Sequence, residues 1–115
     1  MKRTHNLKLA FLFPEIAYDI IQKLKYEERM DLLDQVPELN IISLCGCEDP
    51  SCGSFYTVEP SITENESLSH EGYVTKSGLM EVFDGQIGFF EIMPSERGRE
   101  VRSKINEAFR RIAEQ

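Results

Sequence analysis

Histidine occurs only twice in this chain and cysteine only three times. No apolar stretch approaches the roughly 18–20 residues that a membrane helix needs. Walker, Rossmann and nucleophile-elbow patterns are all missing. Neither histidine stands in a metalloprotease-type or deaminase-type motif. Carboxylates are plentiful but scattered, and spacing singles out no acid–base dyad. There is no internal repeat and no low-complexity tract. With no assembled catalytic constellation, the expectation leans away from an enzyme.

What is present suits one domain spanning residues 1–115. Apolar residues make up 41% of the 115 and charged residues 29%, ordinary values for a globular protein. A chain of this length buries a core without staples, so the cysteines are not needed to hold it together. Their odd number cannot pair completely within one chain. Both points favour a reducing compartment, and the expected location is cytoplasmic. Lys2 and Arg3 before the run Leu7–Phe13 superficially resemble a signal peptide. Lys8 interrupts the run, Pro14-Glu15 ends it and no small-residue cleavage site follows, so it reads as a buried strand. Neither a membrane nor, given the formal net charge of −7, a nucleic acid is the expected partner. The charge is uneven, however. Between Glu96 and Arg111 six basic residues face three acidic ones, a local +3 that leaves −10 for the rest of the chain. The plain reading of that segment is a solvated helix face.

Periodicity predicts the elements. Leu7–Phe13 reads as a strand buried on both faces. Pro14 suits the first turn of a helix whose stripe is Ile16, Ala17, Ile20, Ile21 and Leu24. The period resumes at Tyr26, Met30 and Leu33, in the same helix or a second short one that ends before Pro37. Leu39–Leu44 and Ser54–Val58 read as strands flanking a turn, Cys47–Gly53, so that a hairpin carries the cysteines at its tip. Pro60–Gly72 has acidic residues but no Lys or Arg, and reads as a mobile loop. Tyr73–Thr75 and Leu79–Phe83 read as short strands, or as one strand interrupted at Ser77-Gly78. Asp84-Gly85 predicts a two-residue type I′ turn pairing Phe83 with Gln86, Val82 with Ile87 and Met80 with Phe89. That register puts Met80, Val82, Ile87 and Phe89 on the core face and Phe83 and Phe90 on the other. Glu91 then falls on core parity, unless the register breaks or it sits at the rim. Ile87–Met93 is either a doubly covered central strand or a sheet edge used for dimerisation. Ser95 is a plausible N-cap for a helix with Val101, Ile105, Ala108, Phe109 and Ile112 at helical spacing. Gly98 should weaken its first turn. The fold class is α+β: an antiparallel sheet of four to five strands, with an N-terminal helical segment and a C-terminal helix packed on it.

Cys45, Cys47 and Cys52 form the pattern C-x-C-x4-C on a turn that folds back on itself. Three readings follow. Zinc wants four ligands in a tetrahedron, so the three thiolates need a fourth, for which His70 or His5 is the candidate. The spacing differs from a zinc knuckle, which uses two intervening residues. Alternatively, Cys45 and Cys47 close a strained, easily reduced disulfide with Cys52 as resolving thiol. Glu48 and Asp49 nearby should raise thiol pKa values and disfavour a reactive thiolate. Or the cysteines simply fill small apolar spaces.

The stretch from Ile41 to Tyr56 resembles a segment of small bacterial proteins of unassigned function. These carry an apolar strand, a C-x-C-x4-C turn with an acidic-Pro-small element, and another strand. The matching residues are Cys45, Cys47, Glu48, Pro50, Cys52 and Gly53. The hairpin at Asp84-Gly85 fits loosely, and the chain lacks an aromatic directly after Cys52. The resemblance covers about half the chain and implies no known activity. The leading expectation is a non-enzymatic domain acting through protein contacts, with a second copy of itself as one partner. A zinc-binding domain using Cys45, Cys47, Cys52 and a histidine, His70 first, is the alternative, and a thiol redox protein is the third.

Overall fold

The computed structural model describes residues 7–114. The first apolar run departs from expectation. Leu9–Leu12 forms one helical turn, α1, and Pro14–Tyr26 forms α2 with Pro14 at its start. Leu9, Phe13, Ile16, Ile20 and Leu24 are spaced by three or four residues, so a single helical stripe runs through both elements and is buried. A strand buried on both faces would also cover Phe11, which is 92% exposed. Phe13, caught before a proline, leaves the helical region (φ −132°, ψ 73°) and separates the two helices. Only Lys8 keeps a strand-like contact, an antiparallel bridge to Asn40.

Glu28, at φ +57°, ends the second helix. The short helix α3 (Met30–Leu33) follows, then a 3-10 turn at Val36–Glu38 that holds Pro37. Tyr26 and Met30 face solvent, while Leu32 and Val36 are buried. Gln35 lies between these elements. Its side-chain amide donates to the Gly85 carbonyl (2.7 Å) and its carbonyl accepts from the Ile87 N–H (3.0 Å).

Among the described residues five strands make one antiparallel sheet: β1 (Ser43–Leu44), β2 (Phe55–Tyr56), β3 (His70–Val74), β4 (Leu79–Phe83) and β5 (Gln86–Glu91). Their spatial order is β1-β2-β5-β4-β3. The α+β class, the N-terminal helices and the C-terminal helix are as expected. The strand from Gln86 to Glu91 is central, between β2 and β4, and offers no sheet edge for dimerisation. The span expected as a mobile loop is shorter. Pro60–Thr63 forms a helical turn, α4, and His70–Gly72 pairs with Phe83–Glu81. Arg29 ties this edge down, donating to both Glu71 (2.5 Å) and Tyr73 (2.5 Å).

Asp84 (φ 51°) and Gly85 (φ 79°) both take the left-handed region, as a type I′ turn requires. Phe83 pairs with Gln86 and Val82 with Ile87. The register then shifts between Glu81 and Val82, so that Met80 faces Phe90 rather than Phe89. The additional residue is Gly88, where a Cβ would come within 2.8 Å of the Phe83 ring. The bulge reverses the expected parity beyond it. Phe90 and Ile92 enter the core, Phe89 packs against Tyr56 on the other face, and Glu91 leaves the core face. Phe83 is buried on that second face, stacked on His70.

Helix α5 (Glu96–Ala113) starts at Ser95, whose hydroxyl accepts from the Gly98 N–H at 2.9 Å. Val101 and Ile105 are fully buried, each contributing about 1.5–3 kcal/mol. Ala108, Phe109 and Ile112 pack at the core margin. Among the described residues no helix is long and apolar enough to cross a membrane.

Candidate metal centre

Strand β1 runs directly into Cys45 and β2 begins three residues after Cys52, so the hairpin tip carries the cysteines as expected. The Cys45 N–H donates to the Ser54 carbonyl (2.9 Å) and closes the neck of the loop. Inside it, the Asp49 carboxylate accepts from both the amide (2.9 Å) and the hydroxyl (2.7 Å) of Ser51. Cys52 donates its N–H to the Asp49 carbonyl (3.1 Å). These bonds form the turn that Asp-Pro-Ser favours.

The far side of the loop is tied to β5 and α5. The Ser54 hydroxyl donates to the Ile92 carbonyl (3.3 Å) and accepts from the Ile92 N–H (2.9 Å). The Ser95 N–H donates to the Ser51 carbonyl (3.1 Å). Arg102 reaches across from α5 and donates to the carbonyls of Cys52 (3.2 Å) and Cys47 (3.1 Å). Gly53 meets Gly98 where loop and helix cross. A Cβ on Gly53 would stand 2.8 Å from the Gly98 carbonyl oxygen, and a Cβ on Gly98 would stand 2.1 Å from that of Ser51. Gly98 is the residue that lets the helix approach the loop.

The three sulfurs lie within 4.8 Å of one another, and all three thiols are free. Cys52 is buried, Cys45 half-buried and Cys47 exposed. Among the described residues no other three His, Cys, Asp or Glu side chains converge in this way. His70 does not join them. It stands on β3, at the opposite edge of the sheet from β1, with its Nε2 2.7 Å from a Glu81 oxygen. Four strand spacings separate the two edges, roughly 19 Å. His5 lies outside the described residues.

The electrostatics reverse one expectation. Desolvation pushes the Cys45 thiol up. The Cys47 thiol is instead lowered, first by the Asp49 N–H, then by hydrogen bonds with Cys52 and Cys45, and further by the charge of Arg102. Asp49 therefore stabilises the thiolate through its backbone, while its carboxylate is engaged by Ser51. Arg102 had no local signal, because it lies 50 residues beyond Cys52. The hint in the sequence is the cationic segment, whose plain reading is a solvated face. Arg102 is half-buried against the loop instead. Three gathered thiols can hold a soft metal ion or, after movement, exchange disulfides. Comparisons of this chain with protein families, curated proteins and solved structures found no match.

Proposed function

We propose that the protein is a metal-binding domain that holds one thiophilic ion, zinc first, on the thiolates of Cys45, Cys47 and Cys52. The observation that carries this reading is the mutual approach of the three sulfurs to within 4.8 Å. Zinc–sulfur bonds of about 2.3 Å place tetrahedral sulfurs about 3.8 Å apart, so the loop needs to contract by roughly an ångström. The Cys47 thiol, lowered by the Asp49 amide and by the charge of Arg102, favours the charged form that a metal ligand must take. Three thiolates leave one coordination position for water or an outside ligand. Because the loop is tied to β5 and α5, metal binding would add to the stability of the whole domain. Reduced thiols suit a reducing compartment, so a cytoplasmic location belongs to this reading.

Elemental analysis of protein purified without added metal tests it. The expected content is close to one equivalent, with thiols that react only after chelation. Less than a tenth of an equivalent, with three thiols titrating freely, overturns it. Thiol exchange is a second reading, favoured by the exposed, lowered thiol of Cys47 beside two others. Its mark is a loss of about 2 Da on mild oxidation, mapped to one cysteine pair.

A further inference from the structure

The cationic face of α5 borders a cleft beside the cysteine loop. Arg99, Arg102, Ser103, Asn106 and Arg110 recur at helical spacing and line, with Pro50 and Glu107, a cleft of about 460 Å³. Three arginine side chains line it on a chain whose net charge is −7. Two carboxylates near these arginines, Glu107 and Asp49, are engaged. Glu107 pairs with Arg110 and Arg111, and Asp49 accepts two bonds from Ser51. Arg102 is held in place by its bonds to the Cys47 and Cys52 carbonyls, which limits its freedom to rotate.

We propose that this cleft binds the phosphate group of a small phosphate monoester, held by Arg99, Arg102 and Arg110. Donor count selects the ligand. Arg99, the N–H groups that Arg102 and Arg110 do not spend on the loop carbonyls and Glu107, a serine hydroxyl and an asparagine amide together offer more donors than the two oxygens of a carboxylate accept, whereas a phosphate dianion presents three. The volume suits a small molecule. The −10 carried by the rest of the chain opposes a nucleic-acid backbone. This site does not rest on the metal reading.

Titration of the full chain with inorganic phosphate and with ribose 5-phosphate, followed by amide NMR at constant ionic strength, tests the proposal. Saturable shifts are expected at residues 99–110 and at the cysteine loop, with ribose 5-phosphate binding more tightly than phosphate. The double variant Arg99→Ala, Arg110→Ala, which changes only exposed side chains, should keep a native spectrum and raise both dissociation constants at least fivefold. Absent shifts, or a smaller loss in the double variant, overturn the site. Equal affinity for the two probes overturns the monoester assignment. Shifts that disappear when EDTA is added trace phosphate to a bound metal and overturn the arginine site.

Discussion

Replacing Gly98 with alanine sets two physical effects of opposite sign against each other. Helix propensity alone favours alanine over glycine by about 1 kcal/mol. Gly98, however, lies where α5 crosses the cysteine loop. The new methyl carbon would stand 2.1 Å from the Ser51 carbonyl oxygen, 2.9 Å from that of Met93 and 3.1 Å from the Gly53 nitrogen. Comfortable heavy-atom separations are about 3.5–4.0 Å, so relief requires the backbones to part by more than an ångström. All three obstructing atoms are backbone, so no side chain can swing aside. The same crossing carries the Ser95–Ser51 bond (3.1 Å) and the two bonds from Arg102.

Overpacking of this kind costs about 1–3 kcal/mol, and each strained or lost hydrogen bond costs about 1 kcal/mol more. After the propensity gain, Gly98→Ala should destabilise the domain by about 1–3 kcal/mol. Urea unfolding followed by far-ultraviolet circular dichroism, with EDTA present, measures this directly. Faster alkylation of Cys52, which is now buried, should accompany the loss. A gain of about 1 kcal/mol, as propensity alone demands, would refute the close crossing of loop and helix.

The thiols of metal-free protein should differ in pH dependence. Cys47 should alkylate with a midpoint below the ordinary 9.0 and Cys45 above it. Arg102→Met should move the Cys47 profile to higher pH, since a cation that favours the thiolate is removed; mapped alkylation rates with an unmoved profile would remove Arg102 from the account. Gln35→Ala should cost about 1–3 kcal/mol, because the Ile87 N–H and Gly85 carbonyl lose their partner. Hydrogen exchange at Ile87 should quicken in that variant, and unchanged protection there would show that Gln35 is dispensable.

Features legible in the sequence are those written within a few residues. Asp84-Gly85 demands two left-handed residues, and only one hairpin geometry uses them. Ser95 before Glu96 supplies an acceptor where the first turn of a helix needs one. Ile16, Ala17, Ile20 and Leu24 share a face at any tertiary packing. The misreadings come from residues whose state depends on distant partners. Leu7–Phe13 carries a composition that strands and helices share, and Phe11 breaks the tie only once its exposure is known. Gly88 is the extra residue of the bulge, and Phe83 and Val58 occupy the space a side chain would need there. His70 joins a strand by pairing with Phe83, and Arg29, some forty residues earlier, holds the neighbouring Glu71 and Tyr73.

The cysteine site divides along the same line. That three thiols share one turn follows from C-x-C-x4-C and Asp-Pro-Ser, since a reversal this tight leaves the sulfurs little room to separate. Their charge state does not follow from the neighbours in sequence. Glu48 and Asp49 suggest an environment hostile to a thiolate, and a count of formal charges within five residues supports that. A side-chain carboxylate acts at its own position, though, while the backbone N–H of the same residue acts at another. Once Ser51 holds the Asp49 carboxylate, its amide stabilises the Cys47 sulfur, and α5 adds a cation from the far end of the chain. The approach of that helix depends on two glycines meeting, Gly53 and Gly98. Gly98 counts as a weakness when α5 is judged alone, yet it is what brings Arg102 within reach of the loop.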